Sequence, residues 1–150
     1  MTATTLFNLL HSDHCRLDDL LLAYQESKSK DFDKAYSFFM EFRKALLRHF
    51  AGEEEILFPA YDTIICDASD ETTSILKSEH RQMLDLLNCI YEKLQKRDIN
   101  TVLEEERLIC LHHDHALEED KIMYPVMDQL LTDQERESVV NRIMDLSRGK

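Results

Sequence analysis

An all-α fold, an up-down bundle of four helices followed by a short fifth helix, is the structure that this sequence predicts. Three observations lead to it: apolar residues recur at helical spacing, only two glycines and two prolines occur in 150 residues, and the second half of the chain repeats the first. So little turn material does not suit a β-sandwich. We expect a single domain over residues 1–150, with helical hairpins at about 4–64 and 72–130 and a fifth helix at about 133–147.

Each long segment carries an apolar stripe and ends in polar residues. The four segments cover about residues 4–26, 33–64, 72–96 and 100–130. Asn100 is the expected N-cap of the fourth segment, and TDQE from Thr132 to Glu135 predicts a capping box that opens the fifth helix. Pro59 and Pro125 fall inside the helical pattern, so each is expected to kink its helix or to end the regular part of it.

Charge argues against two classes of partner. The chain has 30 acidic residues and 18 lysines and arginines, and its net charge of −12 repels both nucleic acid and anionic lipid. No apolar run approaches the length of a membrane span, and the N-terminus MTATTLFNLLHSDH has neither the basic start nor the cleavage site of a signal peptide. We therefore expect a cytoplasmic protein without nucleic-acid or membrane partners, and the sequence indicates no particular protein partner.

The four cysteines form no C-x-x-C pair. Each lies in or beside a helical segment, which predicts buried, reduced thiols rather than metal ligands or a redox pair. These residues are Cys15, Cys66, Cys89 and Cys110.

An offset of 66 residues aligns the two halves of the chain without a gap. LLHSDHCRLDDLL lies over ILKSEHRQMLDLL, and HFAGEEEILFP lies over HALEEDKIMYP. A repeated helical hairpin builds a bundle with approximate two-fold symmetry, so equivalent residues that face inward meet around its axis. The offset relates His14 to His80, His49 to His115, and Glu53 to Glu119.

These six residues are predicted to lie on the apolar stripes of their helices. Leu10, Leu17 and Leu21 share a face with His14; Phe42, Ala45 and Ile56 with His49; Leu76, Met83 and Leu87 with His80; Leu108, Leu111 and Ile122 with His115. A single exposed H-x-x-x-E pair on a helix contributes little, but two buried carboxylates are costly unless they are paired or bind metal. The pattern therefore predicts a metal site. Imidazole and carboxylate ligands suit iron, manganese or zinc.

The order of the ligands resembles the hemerythrin-like family, also called HHE cation-binding domains. His14, HFAGE from His49 to Glu53, His80, and HALEE from His115 to Glu119 follow the family pattern. Ferritin-like proteins differ, because they use Glu-x-x-His on two helices and a lone Glu on the others. The resemblance implies a non-haem di-iron centre: two iron ions, bridged by both glutamates and by an oxo or hydroxo group, with manganese or zinc as substitutes.

One departure from the oxygen carriers of that family bears on function. They carry a second histidine on the third helix in the pattern H-x-x-x-H. Here the residues four before and four after His80 are Leu76 and Leu84, so His80 has no such partner. One more ligand position is then open, so we expect a protein that binds or processes O2, peroxide or nitric oxide rather than a dedicated oxygen carrier. The alternatives are a di-iron oxidoreductase acting on peroxide or nitric oxide, an iron donor for Fe–S repair, an iron or oxygen sensor or storage module, and a bundle without metal.

Other polar residues near the predicted ligands have open roles. His11 and His112 each precede a predicted ligand by three residues. Three roles are open for each of them: a fifth ligand, a proton donor, or a histidine at the edge of the core. Asp18 is either an acceptor for a ligand histidine or a solvated acid. A hydrated acidic rim is expected from Glu54, Glu55, Asp114 and Asp120.

Overall fold

A computed structural model of the chain describes residues 4–148. Within that range the regular elements are α1 (Leu6–Ser27), α2 (Phe32–Gly52), a π-helical turn (Glu53–Leu57), α3 (Phe58–Ile65), α4 (Thr72–Gln95), α5 (Val102–Glu118), a second π-helical turn (Glu119–Met123), α6 (Tyr124–Leu130) and α7 (Asp133–Ser147). Each π-helical turn joins its neighbours into one continuous rod, so four long rods form the helical bundle. The predicted all-α bundle is confirmed; residues 1–3 and 149–150 of the predicted domain lie outside the described residues.

Side-chain caps explain where the first two helices begin. The Thr5 hydroxyl accepts a hydrogen bond from the Asn8 N–H at 3.0 Å, and the Asp31 carboxylate accepts one from the Lys34 N–H at 3.2 Å. Each cap satisfies an N–H group that has no partner inside the helix. Local chemistry therefore starts α1 and α2 within two residues of the predicted positions.

The predicted capping box of α7 is confirmed. The Thr132 hydroxyl accepts a hydrogen bond from the Glu135 N–H, and the Glu135 carboxylate accepts one from the Thr132 N–H. The helix then buries Val139, Val140 and Ile143 against α1, α2 and the first π-helical turn. It therefore covers the first half of the repeat.

The prediction that Asn100 caps the fourth segment is wrong. The helix begins at Val102, with Thr101 in the N-cap position. The Asn100 N–H instead donates to the side chain of Asp98 at 2.9 Å, in a turn where Arg97 has a φ of 57°. The turn that Asp98 stabilises includes Asn100, so the helix begins two residues later than the predicted N-cap.

A π-helical turn precedes the proline in each of the two kinked segments. The Phe58 N–H donates to the Glu53 carbonyl, five residues back, and the Tyr124 N–H donates to the Glu119 carbonyl in the same way. A proline has no N–H and its ring clashes with the carbonyl four residues earlier, so a wider turn accommodates it. The prolines therefore follow the end of the regular part of α2 and of α5, as predicted.

The extra residue in each π-helical turn shifts the apolar stripe. Leu57 lies eight residues after His49, Met123 lies eight residues after His115, and both are buried. Ile122, which was predicted to share the face of His115, is 51 % exposed. That prediction is wrong because it carried the 3.6-residue period through the π-helical turn. Its repeat counterpart Ile56 is buried because it packs in the cluster that includes the apolar face of α7.

A polar layer separates two apolar clusters of the core. On α1, Leu10 belongs to one cluster and Leu17 to the other, and His14 lies between them in sequence. The helix α4 shows the same arrangement around His80. The apolar packing on either side thus positions the histidines and keeps them from solvent.

The outer surface corrects one further prediction. Cys15, Cys66, Cys89 and Cys110 are free but exposed rather than buried. Three of them lie on helices away from the apolar stripe, and Cys66 ends α3 in a left-handed conformation with φ of 50°. Across residues 4–148, none of the helices has both the length and the apolar character that a membrane span requires.

Candidate metal centre

Four imidazole rings, one from each rod, meet in the polar layer. The Nε2 atoms of His14 and His49 lie 3.1 Å apart, and those of His80 and His115 also lie 3.1 Å apart. All four residues are at most 4 % exposed. The structure thus brings the four predicted histidines together as two pairs, with the ring nitrogens inside.

Glu53 reaches both histidine pairs. Its Oε1 atom lies 3.5 Å from Nε2 of His49 and 3.1 Å from Nε2 of His80. The residue is completely buried at the start of the first π-helical turn. A carboxylate in contact with one member of each pair has the position that a bridging ligand requires.

Glu119 has the same position in the second half. Its Oε1 atom lies 3.2 Å from Nε2 of His14 and 3.4 Å from Nε2 of His115. Neither contact has hydrogen-bond geometry, so both carboxylate oxygens are buried without a hydrogen-bond partner among residues 4–148. A buried carboxylate without donors is costly, and a cation supplies what these oxygens lack.

The donor atoms form clusters that fit metal ions. Three clusters have all their donor atoms within 4.8 Å of one another. Two of them share Glu119: Glu53, His80, His115 and Glu119, and His14, His49 and Glu119. The third, nearer the surface, consists of His11, His14 and Asp120. Imidazole nitrogen and carboxylate oxygen are the donors that iron, manganese and zinc accept. The residues therefore fit a metal centre.

The buried carboxylates make this region favour positive charge. Burial by itself lowers the pKa of His14, but contacts with Asp120 and Glu119 and the charge of Glu53 raise it to about 10. For His115, burial has the same opposing effect, and Glu119 and Glu53 raise the pKa to about 9. Burial would raise the pKa of Glu119, yet its contacts with Glu53 and the histidines hold it well below its usual value. Glu119 therefore stays ionised, while His14 and His115 hold protons where metal ions would bind.

The outer nitrogen of each histidine faces a carboxylate from another helical element. The distances from Nδ1 are 3.1 Å for His14 and Asp120, 3.1 Å for His49 and Asp13, 2.6 Å for His80 and Glu54, and 2.7 Å for His115 and Glu79. A carboxylate at Nδ1 orients the ring and makes Nε2 a better metal ligand. All four rings thus have the support that metal-binding histidines usually have.

The sequence pattern did not indicate that these acids support the histidines. Asp13 and Glu79 were missed, and Glu54 and Asp120, which were expected on a hydrated rim, each contact a histidine ring. The Glu54 side chain is nevertheless 37 % exposed, so it both supports His80 and faces solvent. The 66-residue offset relates Asp13 to Glu79 and Glu54 to Asp120. The repeat therefore places one acid directly before each lone histidine and another directly after each glutamate, and this repeated pattern could have indicated the supporting acids.

Aromatic rings enclose His80. The Phe50 ring stacks on it with a centroid distance of 3.8 Å, and the Phe58 ring stacks at 5.7 Å. Both phenylalanines are buried. This side of the centre therefore has an apolar wall.

Tyr124 occupies the corresponding place on the other side. It is the repeat counterpart of Phe58, and its ring stacks on His14 at 5.7 Å. Its hydroxyl donates to Oε2 of Glu53 at 2.6 Å. Burial, and then the charges of Glu119 and Glu53, raise its pKa well above the usual value, so the phenol keeps its proton. The sequence pattern did not indicate a role for Tyr124.

The three residues with open roles occupy different surroundings. His11 has a side chain that is 46 % exposed, and its Nδ1 lies 3.0 Å from Asp120, the acid that supports His14. His112 is buried and meets the His14 ring edge-on at a centroid distance of 5.7 Å. Asp18 lies 3.7 Å from Nδ1 of His112, so the described contacts place it beside that residue and not beside a predicted ligand.

A comparison with protein families supports this arrangement. The family model described as the hemerythrin HHE cation-binding domain matches residues 5–127, which include all six predicted ligands. A search of curated proteins and a search of solved structures gave no significant match. Because the family model covers most of the sequence, the chain belongs to the hemerythrin HHE cation-binding domain family.

Proposed function

We propose that this protein holds a non-haem di-iron centre and binds or processes a small oxidant such as O2, peroxide or nitric oxide. The observation that carries the proposal is that two buried histidine pairs share two buried glutamates. Histidine and carboxylate donors suit iron, and family membership supports a metal-binding site.

The proposed ligands divide between two metal positions. His14 and His49 would hold one ion, His80 and His115 the other, and Glu53 and Glu119 would bridge them. When bound, iron would supply a redox couple and an electrophilic position for the oxidant. The protein itself orients the imidazoles through their Nδ1 carboxylates and excludes water with the apolar clusters on either side.

The surroundings of His80 support ligand exchange rather than oxygen carriage. The residues four before and four after it are Leu76 and Leu84, which offer no metal donor. A coordination position that a second α4 histidine would fill would then be left for a small molecule if metal binds here. Binding of peroxide or nitric oxide at such a position fits this ligand set.

The surface supports our proposals for location and partners. The four cysteines are free and exposed, which suits a reducing compartment, so we place the protein in the cytoplasm. The net charge of −12 argues against nucleic acid and anionic membranes as partners. The partner that we propose is a small oxidant.

Metal content and the visible spectrum test the proposal. Protein produced with added iron should contain about two irons per chain and show near-ultraviolet absorption bands that dithionite bleaches. Protein with zinc alone, or with no stoichiometric metal, would refute the di-iron function. Continuous consumption of hydrogen peroxide or nitric oxide would indicate an enzyme, and a stable coloured adduct would indicate a binding protein.

A variant of Glu119 tests the ligand assignment. Glu119→Ala removes the carboxylate that contacts both histidine pairs, so the iron content should fall by at least half. The neighbouring residue Glu118 is exposed, and Glu118→Ala is the matched control that should keep full loading. Full loading of Glu119→Ala would show that this carboxylate is not a ligand.

A further inference from the structure

His112 is a buried polar residue outside the proposed ligand set. It is 8 % exposed, and its Nε2 atom is buried without a hydrogen-bond partner anywhere in residues 4–148. Its Nδ1 atom lies 3.7 Å from Asp18, which is beyond hydrogen-bond distance. His112 belongs to none of the clusters of mutually close metal-binding atoms in the described chain. An unsatisfied buried nitrogen destabilises a fold, so packing alone does not account for this residue.

The internal repeat shows that the fold does not require a polar residue here. Leu46 occupies the position of His112 in the first half, and it is completely buried. An apolar side chain therefore packs well at this place in the bundle. The imidazole of His112 is an addition specific to the second half.

A second difference between the halves lies next to it. In the first half, Phe50 stacks on the ring of His80 at 3.8 Å. The equivalent position in the second half holds the small residue Ala116. Apart from its pair partner His49, the His14 ring meets the ring of His112, edge-on, and that of Tyr124. The two sides of the centre therefore differ in polarity, and the hydrogen-bonding groups lie on the His14 side.

A cavity of about 130 Å³ reaches the same histidine pair. It lies between α1, α2 and α7, and its lining includes His49, Asp13, Arg16 and Arg48. In a protein with a net charge of −12, two guanidinium groups at one cavity raise the local concentration of small anions. The cavity thus brings small anions to His49, while His112 on α5 lies outside the cavity lining and meets this histidine pair through the ring of His14.

We propose that His112, in its Nε2–H tautomer, donates a hydrogen bond from Nε2 to the small ligand of the metal centre, and that it selects ligands which accept one, such as hydroperoxide or azide. This inference rests on the proposed di-iron function. A bound ligand of this class supplies the partner that the buried nitrogen lacks in the chain alone. A hydrogen bond in such a buried place is stronger than in water, so His112 discriminates against nitric oxide, a weak acceptor.

Azide titration of the iron-loaded protein tests the proposal through binding rather than turnover. His112→Leu introduces the residue that the repeat carries at Leu46, and it should keep the iron content of the wild type. Its azide dissociation constant should rise about tenfold or more, while its affinity for nitric oxide stays the same. The metal-free variant should also melt at a higher temperature than the wild type, because the unpartnered nitrogen is gone.

Two further variants make the result specific. His112→Gln retains an N–H donor and should recover part of the azide affinity. Leu46→Met changes the equivalent position in the other half with little change in volume, so it should leave azide affinity and iron content unaltered.

The other outcomes contradict particular statements. Unchanged azide affinity in His112→Leu would overturn the role of His112 and leave the di-iron function standing. Loss of iron from His112→Leu would show that His112 is a metal ligand, which also overturns the proposal. A lower melting temperature of metal-free His112→Leu would show that the imidazole serves packing. A wild-type protein that takes up no iron would overturn both the proposed function and this inference.

Discussion

The Nδ1 atom of His115 on α5 lies 2.7 Å from the carboxylate of Glu79 on α4. His49 on α2 and Asp13 on α1 have the same relationship in the first half, at 3.1 Å. An acid that precedes the lone histidine of one helix thus supports the histidine of the next helix in the same hairpin. The acids that follow the two glutamates instead support histidines of the opposite hairpin.

Removal of the Glu79 charge should weaken metal binding. Glu79→Gln leaves His115 with a poorer acceptor at Nδ1, and loss of such a partner typically lowers metal affinity about 10- to 100-fold. Competition against a chelator measures the change. Glu92→Gln removes the same charge from an exposed position on α4 and should have little effect. Equal weakening in both variants would indicate a general effect of net charge and contradict the specific role of Glu79.

The metal-free protein should lose stability as the pH rises from about 6.5 to 10. In the folded protein the pKa of His14 is raised from 6.5 to about 10 and that of His115 from 6.5 to about 9. The protonated histidines therefore stabilise the fold fully below pH 6.5, and this stabilisation is lost as the pH rises through about 9 and about 10. Metal binding requires neutral imidazoles, so iron affinity should increase over the same range. Melting temperatures of both forms against pH test this, and a metal-free protein that becomes more stable with rising pH would contradict it.

Tyr124→Phe should destabilise the metal-free protein by about 1–3 kcal/mol, because Oε2 of Glu53 then loses its buried donor. The cost should be smaller in the iron-loaded protein, where a metal ion can satisfy the same carboxylate. Urea unfolding of both forms measures the difference. Tyr36→Phe removes a hydroxyl that accepts an exposed hydrogen bond from Gln95 and serves as the control. A cost equal in both forms would show that Glu53 does not contact the metal.

Loss of the α7 cap should lower stability without removing the metal. Thr132→Ala removes the hydroxyl that accepts the hydrogen bond from the Glu135 N–H, while the backbone N–H of residue 132 can still donate to Glu135, and the loss should cost about 1 kcal/mol in urea unfolding. The iron content should be unchanged, because α7 carries none of the proposed ligands. Ser138→Ala, an exposed change inside the same helix, should be nearly neutral. A similar cost in both variants would mean that the capping box contributes nothing specific.

The helices and the grouping of the candidate ligands were predictable because both depend on local spacing. Residues four apart on an α-helix share a face, so His49 and Glu53 point the same way in any packing arrangement. The 66-residue offset then relates this pair to His115 and Glu119. The structure brings these residues together with the lone histidines, and the role of each as a ligand remains a prediction.

The errors occur where the helical period changes or where contacts cross between helices. Ile122 was assigned to the wrong face because one residue is added in the π-helical turn Glu119–Met123. Asp120 was expected on a hydrated rim, whereas its carboxylate contacts His14 on another helix. Neither the turn nor that contact is visible in a regular apolar pattern.

The sequence by itself determined the all-helical fold, the repeat and the six residues that face the centre, because helical periodicity and charge act over a few neighbouring residues. Only the tertiary structure decided that each histidine has a carboxylate at Nδ1, that the Tyr124 hydroxyl reaches Glu53, and that Nε2 of His112 has no partner in the described chain. These relationships depend on how side chains from different helices approach one another, which the positions of residues along one helix do not specify.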